Sequence, residues 1–362
     1  MKNEIVFFIN NMNHGGAAKM LNFVADISHS IFDRVIIVSS YKPILEENKR
    51  AGIRYINLDI KTNGQPMWRI PAIRKIRETV KALDAQYVCG WASEMAFMVR
   101  AATLGLNYTI ISAERNDPYM LPYYWRILER WTYKHSDYAF FQLEKAKAYY
   151  GKGAAKKNFV IPNPYIPTIT VAAMPIEKRK KTIIGAGRFQ AQKGFDVLIK
   201  AFAAVYVKHP EYKLLIYGEG PLENRYKQLA KEMGILDVLE IPGYVKNFTQ
   251  AVANEGIYVL SSRFEGIPNS LIEAMSTGIP TVSTDCSPGG PDFLTNHGER
   301  GLLVKVEDVD GLADSILYLI EHPIEANALG EKGKEVIEML KEDVIRQKWV
   351  NAFVEIKEVQ VK

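Results

Sequence analysis

Arg188, Lys193, Glu265 and Glu273 are the residues whose types and spacing suggest chemistry. The two glutamates flank the run Gly266-Ile267-Pro268-Asn269-Ser270-Leu271. That run follows the apolar segment 257–260, which reads as a buried parallel strand. Pro268 is expected in the first turn of a helix, where its missing N–H costs nothing. Ile267 cannot cap that helix, so the amides of Asn269, Ser270 and Leu271 are expected to lack a side-chain partner and to suit an anion, most often a phosphate. Two carboxylates beside a phosphate repel it unless they bind something else, such as sugar hydroxyls. The plainer alternative is that both only favour the positive helix end, for about 0.3–1 kcal/mol each. Arg188 and Lys193 flank the first loop of the chain's second half, from which they could reach a diphosphate held at the same helix. Arginine offers a planar fork to phosphate oxygens and lysine a point charge. Ordinary surface cations are the other reading, although a helix N-terminus disfavours them and an anion there would remove the conflict.

The elements that must position these residues alternate along the chain. Segment 5–9 reads as a buried first strand, followed by His14, Gly15 and Gly16 and a helix to about residue 29. This strand–glycine loop–helix unit lacks a full G-x-G-x-x-G, so it fits either a ligand loop or a tight turn. Further strands are expected at 35–38, 54–57, 87–89, 108–111, 138–141 and 158–161, with helices near 69–83 and 93–104 between them. Strand–helix alternation argues for parallel sheets covered on both faces, that is, an α/β protein. The helix at 69–83 carries Arg69, Arg74, Lys75, Arg77 and Lys81 among apolar residues, a pattern suited to lipid headgroups, to a diphosphate or to a solvated surface. Glu114, Arg115 and Asn116 follow a strand, at the sheet edge where ligands bind. Residues 119–135, rich in tyrosine, tryptophan and arginine, form a helix apolar on more than one side, able to pack inward or to touch an acceptor lipid. The proline-rich stretch 162–167 separates domains 1–167 and 168–342. The second series repeats glycine near charge at successive strand ends: Gly187-Arg188, Gly218-Glu219, Gly243-Tyr244 after Glu240, and Glu265-Gly266. A single helix is expected over 324–340. A final helix, about 343–359, carries the apolar stripe Trp349, Phe353 and Ile356, which must bury against something.

Composition bounds the rest. The 362 residues are 48% hydrophobic and 24% charged, ordinary for a soluble globular protein. No segment reaches the roughly 20 apolar residues that span a bilayer. Two distant cysteines suggest a reduced, cytoplasmic setting, and no His/Cys cluster has metal-ligand spacing. Residues 1–180 hold 26 Lys+Arg against 15 Asp+Glu, a balance of +11; residues 181–362 hold 20 against 26, a balance of −6. A basic first half fits an anionic membrane or a phosphorylated substrate. Nucleic acid is disfavoured by the acidic second half and the absence of a binding motif. A dehydrogenase is disfavoured by the incomplete dinucleotide fingerprint.

The run from Phe264 to Met275, with Glu265 and Glu273 eight positions apart, resembles the signature of retaining glycosyltransferase family 4. Gly185-Ala186-Gly187-Arg188 with Lys193-Gly194, and Tyr217 to Leu222, resemble the same family in order and spacing, and Gly15-Gly16-Ala17 resembles its N-terminal glycine loop. The resemblance implies a GT-B fold: two Rossmann-like, doubly wound parallel-sheet domains facing a cleft, with the last helix, 343–362, returning to the first domain. It implies a metal-independent, retaining transfer of a hexose or N-acetylhexosamine from a UDP-linked nucleotide-sugar, which is a substrate, so that no cofactor is needed. Glu265 would contact the transferred sugar, Arg188 and Lys193 the diphosphate, Glu273 the ribose, and the backbone near Gly243 and Tyr244 the base. Gly15, Gly16, Gly187, Asn269, Ser270 and Leu271 would complete the donor site. Many members carry a histidine on the first domain after the strand ending here at Ile111; this chain has Glu114, Arg115 and Asn116 instead, candidates with His14 for sugar or acceptor contacts. The same run, with 284–291, resembles members that extend bacterial surface polysaccharides, which implies a lipid-diphosphate-linked or saccharide acceptor and a cytoplasmic enzyme peripheral on the plasma membrane, its first domain on the anionic surface. A non-catalytic sugar-nucleotide-binding protein or partner subunit is the alternative.

Overall fold

The computed structural model of the chain describes residues 2–13, 16–61, 69–115, 117–167, 169 and 174–358. It divides into two compact units, one of Met1–Asn163 with Asp343–Lys362 and one of Pro164–Glu342.

The first unit runs β1 (Lys2–Ile9), α1 (Gly16–His29), β2 (Arg34–Ser39), β3 (Ile53–Asn57), α2 (Arg69–Leu83), β4 (Ala85–Trp91), α3 (Ser93–Ala102), β5 (Thr109–Ala113), α4 (Tyr123–Lys134), β6 (Tyr138–Phe141), α5 (Glu144–Tyr150) and β7 (Lys157–Val160). Among the described residues its strands form one parallel sheet in the order β3-β2-β1-β4-β5-β6-β7. The β-branched runs Val35 to Val38 and Ile110 to Ile111 are buried, as strands covered on both faces must be. Helix α2 presents Ala72, Ile76, Val80 and Leu83 to the core, spaced by three and four residues as one face of a helix requires. The stretch 119–135 is not one helix: a 3-10 turn at Pro118–Met120 precedes α4, because Pro122 cannot sit inside a helix and instead stands before its first turn.

The second unit runs β8 (Thr182–Ala186), α6 (Phe195–Lys208), β9 (Lys213–Tyr217), α7 (Glu223–Glu232), β10 (Leu239–Gly243), α8 (Phe248–Val252), β11 (Ile257–Leu260), α9 (Asn269–Ser276), β12 (Thr281–Thr284), α10 (Gly290–Thr295), β13 (Leu302–Val304), α11 (Val309–Glu321), α12 (Pro323–Gly333) and α13 (Glu335–Met339). Its parallel sheet has the order β10-β9-β8-β11-β12-β13. The expected helix over 324–340 is broken in two at Gly333–Lys334, where a glycine weakens the helix interior.

The last helix, α14 (Glu342–Glu358), buries Ile345, Trp349, Phe353 and Ile356. Within the first unit, Trp349 lies 4.4 Å from the ring of Phe140 and Phe353 5.6 Å from that of Phe32. The apolar stripe of α14 is thereby covered by β6 and by the segment after α1. Both sheets reverse strand order once, β1 beside β4 in the first and β8 beside β11 in the second. Loops diverge from such a point at the carboxyl edge and leave a crevice, where ligands of open α/β sheets bind.

Candidate functional site

The reversal in the second unit brings together loops distant in sequence. After β8 the chain passes Gly187 and Arg188, makes a 3-10 turn at Ala191–Lys193 and enters α6 from Gly194. Gly194 has φ +61°, and a Cβ there would lie 2.0 Å from the Ser261 carbonyl oxygen, so only glycine lets the β8 and β11 loops meet. Gly187 has φ +153°, and a Cβ there would fall 2.7 Å from Lys193 Cε; its bareness makes room for the lysine stem.

Lys193 and Glu265 meet across this contact. Lys193 Nζ donates to Glu265 Oε1 at 2.5 Å, and the Ser262 hydroxyl donates to the same oxygen at 2.8 Å. Both side chains are largely buried, so the pair is screened far less than a surface ion pair. Gln192 Nε2 donates to the Phe264 carbonyl and the Ser261 hydroxyl to the Lys193 carbonyl, tying one loop to the other. The Glu265 amide donates to the Ser287 carbonyl at 2.8 Å, which adds the loop after β12.

Arg263 clamps the same loops. Its guanidinium donates to both carboxylate oxygens of Asp196, at 3.0 and 2.8 Å, to the Ala191 carbonyl at 2.5 Å and to Glu307, while its amide donates to the Gln192 carbonyl. Burial pushes the Asp196 carboxyl up, but the hydrogen bonds and charge of Arg263 outweigh it and hold it below the ordinary range. Chiefly through the bonds to Asp196, Arg263 is held above its own ordinary value. A bidentate pair fixes direction as well as distance.

Pro268 is not inside α9 but just before it, with extended backbone at φ −75° and ψ 109°, and the helix begins at Asn269. No side chain caps it, as Ile267 and Pro268 dictate. Leu271 N reaches back to the Pro268 carbonyl, which leaves the amides of Asn269 and Ser270 as first-turn donors without an acceptor among the described residues. Tyr258 Oη donates to Ser270 Oγ at 2.8 Å. Burial, with Glu265 and Glu273 nearby, raises the Tyr258 hydroxyl and keeps it protonated. Ser270 therefore accepts from Tyr258 and retains its own proton to donate beside those amides. Glu273 is half-buried one turn further on and engaged with its surroundings.

The structure thus brings together Lys193, Glu265, Gly187 and the start of α9. Arg188 is exposed at the same edge and forms no ion pair among the described residues. Gly243 and Tyr244 lie further along, after β10; the Gly243 carbonyl accepts from Gly218 N, and Tyr244 N points at Glu219 Oε1, 3.4 Å away. Tyr244 is 73% exposed.

In the first unit, His14, Gly15 and Asn116 lie outside the described residues, and Gly16 opens α1. Glu114 and Arg115 are buried. The Arg115 guanidinium lies 4.3 Å from the Trp91 ring and 5.5 Å from the Trp349 ring, and donates to Asn163 Oδ1 at 3.3 Å. Burial brings its pKa down to about 10. This arginine glues α14 to β4 by stacking on both indoles. The crevice between β1 and β4 holds a group the sequence did not single out: Glu94 accepts from Asn10 Nδ2 at 3.1 Å, from Tyr41 Oη at 3.4 Å and from Arg69 Nη2 at 3.2 Å. Its signal was positional, since Asn10 and Glu94 each follow a strand of the reversal. Among the described residues, no three His, Cys, Asp or Glu side chains gather as metal ligands, and no helix is long and apolar enough to cross a membrane.

Residues 170–336 match the model of the family described as glycosyl transferases group 1, a stretch that lies within the second unit. The chain is 34% identical, over 49% of its length and 19% of the relative's, to an exopolysaccharide phosphotransferase of Streptomyces coelicolor. It is 22% identical, over 98% of its length and 99% of the relative's, to the GalNAc-α-(1→4)-GalNAc-α-(1→3)-diNAcBac-PP-undecaprenol α-1,4-N-acetyl-D-galactosaminyltransferase of Campylobacter jejuni. The first curated relatives are matched over 19% to 57% of their own length. Among solved structures, Anabaena HepE in complex with UDP aligns with a TM-score of 0.78 at 16% identity, over 98% of this chain and all of that one. This likeness shows the fold: two Rossmann-like parallel-sheet domains of the GT-B type.

Proposed function

We propose that the chain is a glycosyltransferase that moves a hexose or N-acetylhexosamine from a UDP-sugar to a saccharide or lipid-diphosphate-linked acceptor during bacterial surface-polysaccharide synthesis. The observation that carries the reading is the Lys193–Glu265 pair at the start of α9, inside the segment that matches the group 1 family. Lys193, exposed Arg188 and the amides of Asn269 and Ser270 supply the positive field that a diphosphate needs, both when bound and when it leaves. Glu265, held by Lys193 and Ser262, presents its remaining oxygen to sugar hydroxyls, and Glu273 takes the ribose. Gly243 and Tyr244 are assigned to the base.

The Campylobacter relative, matched end to end, is named for transfer to a diphosphate-linked polyprenol, and HepE was solved with UDP. These names support the choice of donor and acceptor. Retention of anomeric configuration follows the family resemblance at Glu265 and Glu273. Metal independence rests on the cations and helix amides that would take the charge a metal otherwise neutralises. The acceptor is assigned to the Asn10–Tyr41–Arg69–Glu94 crevice of the first unit. That unit is placed on the cytoplasmic face of an anionic membrane, in keeping with the +11 balance of residues 1–180.

The test is nucleotide release from a panel of nucleotide-sugars, with and without EDTA. Release from one UDP-sugar, unchanged by EDTA, is the expected result. Tight UDP binding with no turnover on any acceptor would favour a non-catalytic sugar-nucleotide-binding protein.

A further inference from the structure

Five large apolar side chains stand exposed within nine residues of the first unit: Tyr119 at 42%, Met120 at 53%, Tyr123 at 78%, Tyr124 at 60% and Ile127 at 53%. Single exposed apolar residues are ordinary, whereas a cluster marks a surface that something covers. Along α4 the exposed positions Tyr123, Ile127, Arg130 and Lys134 recur at intervals of three and four, so they share one face. That face is aromatic and aliphatic at its N-terminal end and basic at its C-terminal end. Arg126 donates to the carbonyls of Tyr119 and Leu121 and so braces the preceding turn against the helix, and the Tyr119 ring packs 4.8 Å from that of Tyr149, over which Arg130 also lies.

We infer that this face of α4, with the turn before it, docks on an anionic lipid bilayer. Charge decides the occupant. The only acidic residue from 118 to 134 is Glu129, and it is fully buried, accepting from Tyr150 Oη. Within 118–134 the exposed residues therefore include cations and no carboxylate, which complements anionic headgroups; Arg130 also donates to the Tyr149 carbonyl at 3.3 Å and lies 4.8 Å from the Tyr149 ring, so its side chain is held at this surface. Tyrosine, with an apolar ring and a polar tip, suits the boundary between headgroups and acyl chains.

Four of the five cations named on the basic helix α2 have partners within the first unit. Within α2, Arg69 pairs with Glu94, Arg74 pairs with Glu78, Lys75 donates to the Leu58 carbonyl, and Arg77 donates to the carbonyls of Ala102 and Leu104. The apolar side of α2 faces the core. This inference deepens the membrane part of the proposed function, and its test involves no sugar, so it stands or falls apart from the chemistry.

The full chain is sedimented with vesicles of phosphatidylglycerol and phosphatidylcholine, and with phosphatidylcholine alone. Wild type should bind the anionic vesicles preferentially and be released at high salt. The Tyr123→Ser/Tyr124→Ser/Ile127→Ser variant should lose binding at unchanged thermal stability. Arg130→Gln/Lys134→Gln should weaken it by more than about tenfold, since each cation near an anionic surface counts about fivefold. Arg74→Gln/Lys81→Gln should bind as wild type. As a second readout, a polarity-sensitive dye on Tyr124→Cys should shift to shorter wavelength on anionic vesicles; the native Cys89 and Cys286 are buried. Unaltered binding by the triple variant, an unshifted dye, or a wild type that self-associates through this face and ignores vesicles would overturn the inference.

Discussion

Lys193 Nζ stands 2.5 Å from Glu265 Oε1, across a sequence separation of 72 residues. The cation assigned to the diphosphate and the carboxylate assigned to the sugar are thus one unit. The strand reversal between β8 and β11 creates this contact, and the bare glycines at 187 and 194 permit it. Whatever loosens one loop from the other should disturb both halves of donor recognition together.

Arg263→Ala tests that coupling. The variant removes the bidentate bond to Asp196 and the bond to the Ala191 carbonyl without touching Lys193 or Glu265. Misplacement by about 1 Å at a reacting centre can cost on the order of a hundredfold. Turnover with the UDP-sugar should fall by one to two orders of magnitude, about 1.4–2.7 kcal/mol, with thermal stability little changed. Arg263→Lys should recover little, because a lysine cannot reproduce the fork. Wild-type kcat in the alanine variant would show that the clamp does not position the pair.

Glu94→Gln addresses the first unit. Loss of the negative charge that holds Asn10, Tyr41 and Arg69 should raise the acceptor KM by about tenfold, the loss of roughly one charge-assisted hydrogen bond. Slow hydrolysis of the donor in the absence of acceptor should be unchanged. Equal damage to both reactions would remove the acceptor from this crevice.

Glu129 makes a pH prediction. Burial raises its carboxyl to about 7, against the pull of the nearby Ser93 hydroxyl and of the hydrogen bond from Tyr150. Since the folded pKa lies above the ordinary 4.5, the folded chain holds a proton that the unfolded chain loses between those values. Stability should therefore fall as pH rises from about 4.5 to about 7 and level off above, by at most about 3 kcal/mol from this group. Denaturant midpoints at pH 5 and pH 8 read it out, and Glu129→Gln should flatten the difference. An equal pH dependence in that variant would refute the assignment.

Most of the fold was legible because it rests on local patterns. Buried β-branched runs, amphipathic helices and glycine at strand ends can each be read within about ten residues, and so could the uncapped start of α9 to within a residue, Pro268 standing just before the helix rather than in its first turn. Partnerships across the fold could not be read in this way. Arg263 meets Asp196 from 67 residues away, and Arg115 lies between Trp91 and Trp349 from two separate elements. The partners of the α2 cations were hidden for a related reason. A helical wheel shows their charge but not the carbonyls of Leu58, Ala102 and Leu104 that consume Lys75 and Arg77. The exposed face of α4 is the converse: its sequence reads as apolar on more than one side, and only the fold decides which side Glu129 and Tyr133 take with them into the core.

Titrating UDP into the wild type and Lys193→Ala, and then measuring UDP-sugar turnover on both, decides whether Lys193 and Glu265 at the start of α9 form the donor site. Wild type should bind UDP, and the variant should bind it more weakly and turn over on the order of a hundredfold to a thousandfold more slowly, the loss of about 3–4 kcal/mol of charge stabilisation. A variant that binds UDP and transfers sugar as wild type does would contradict it.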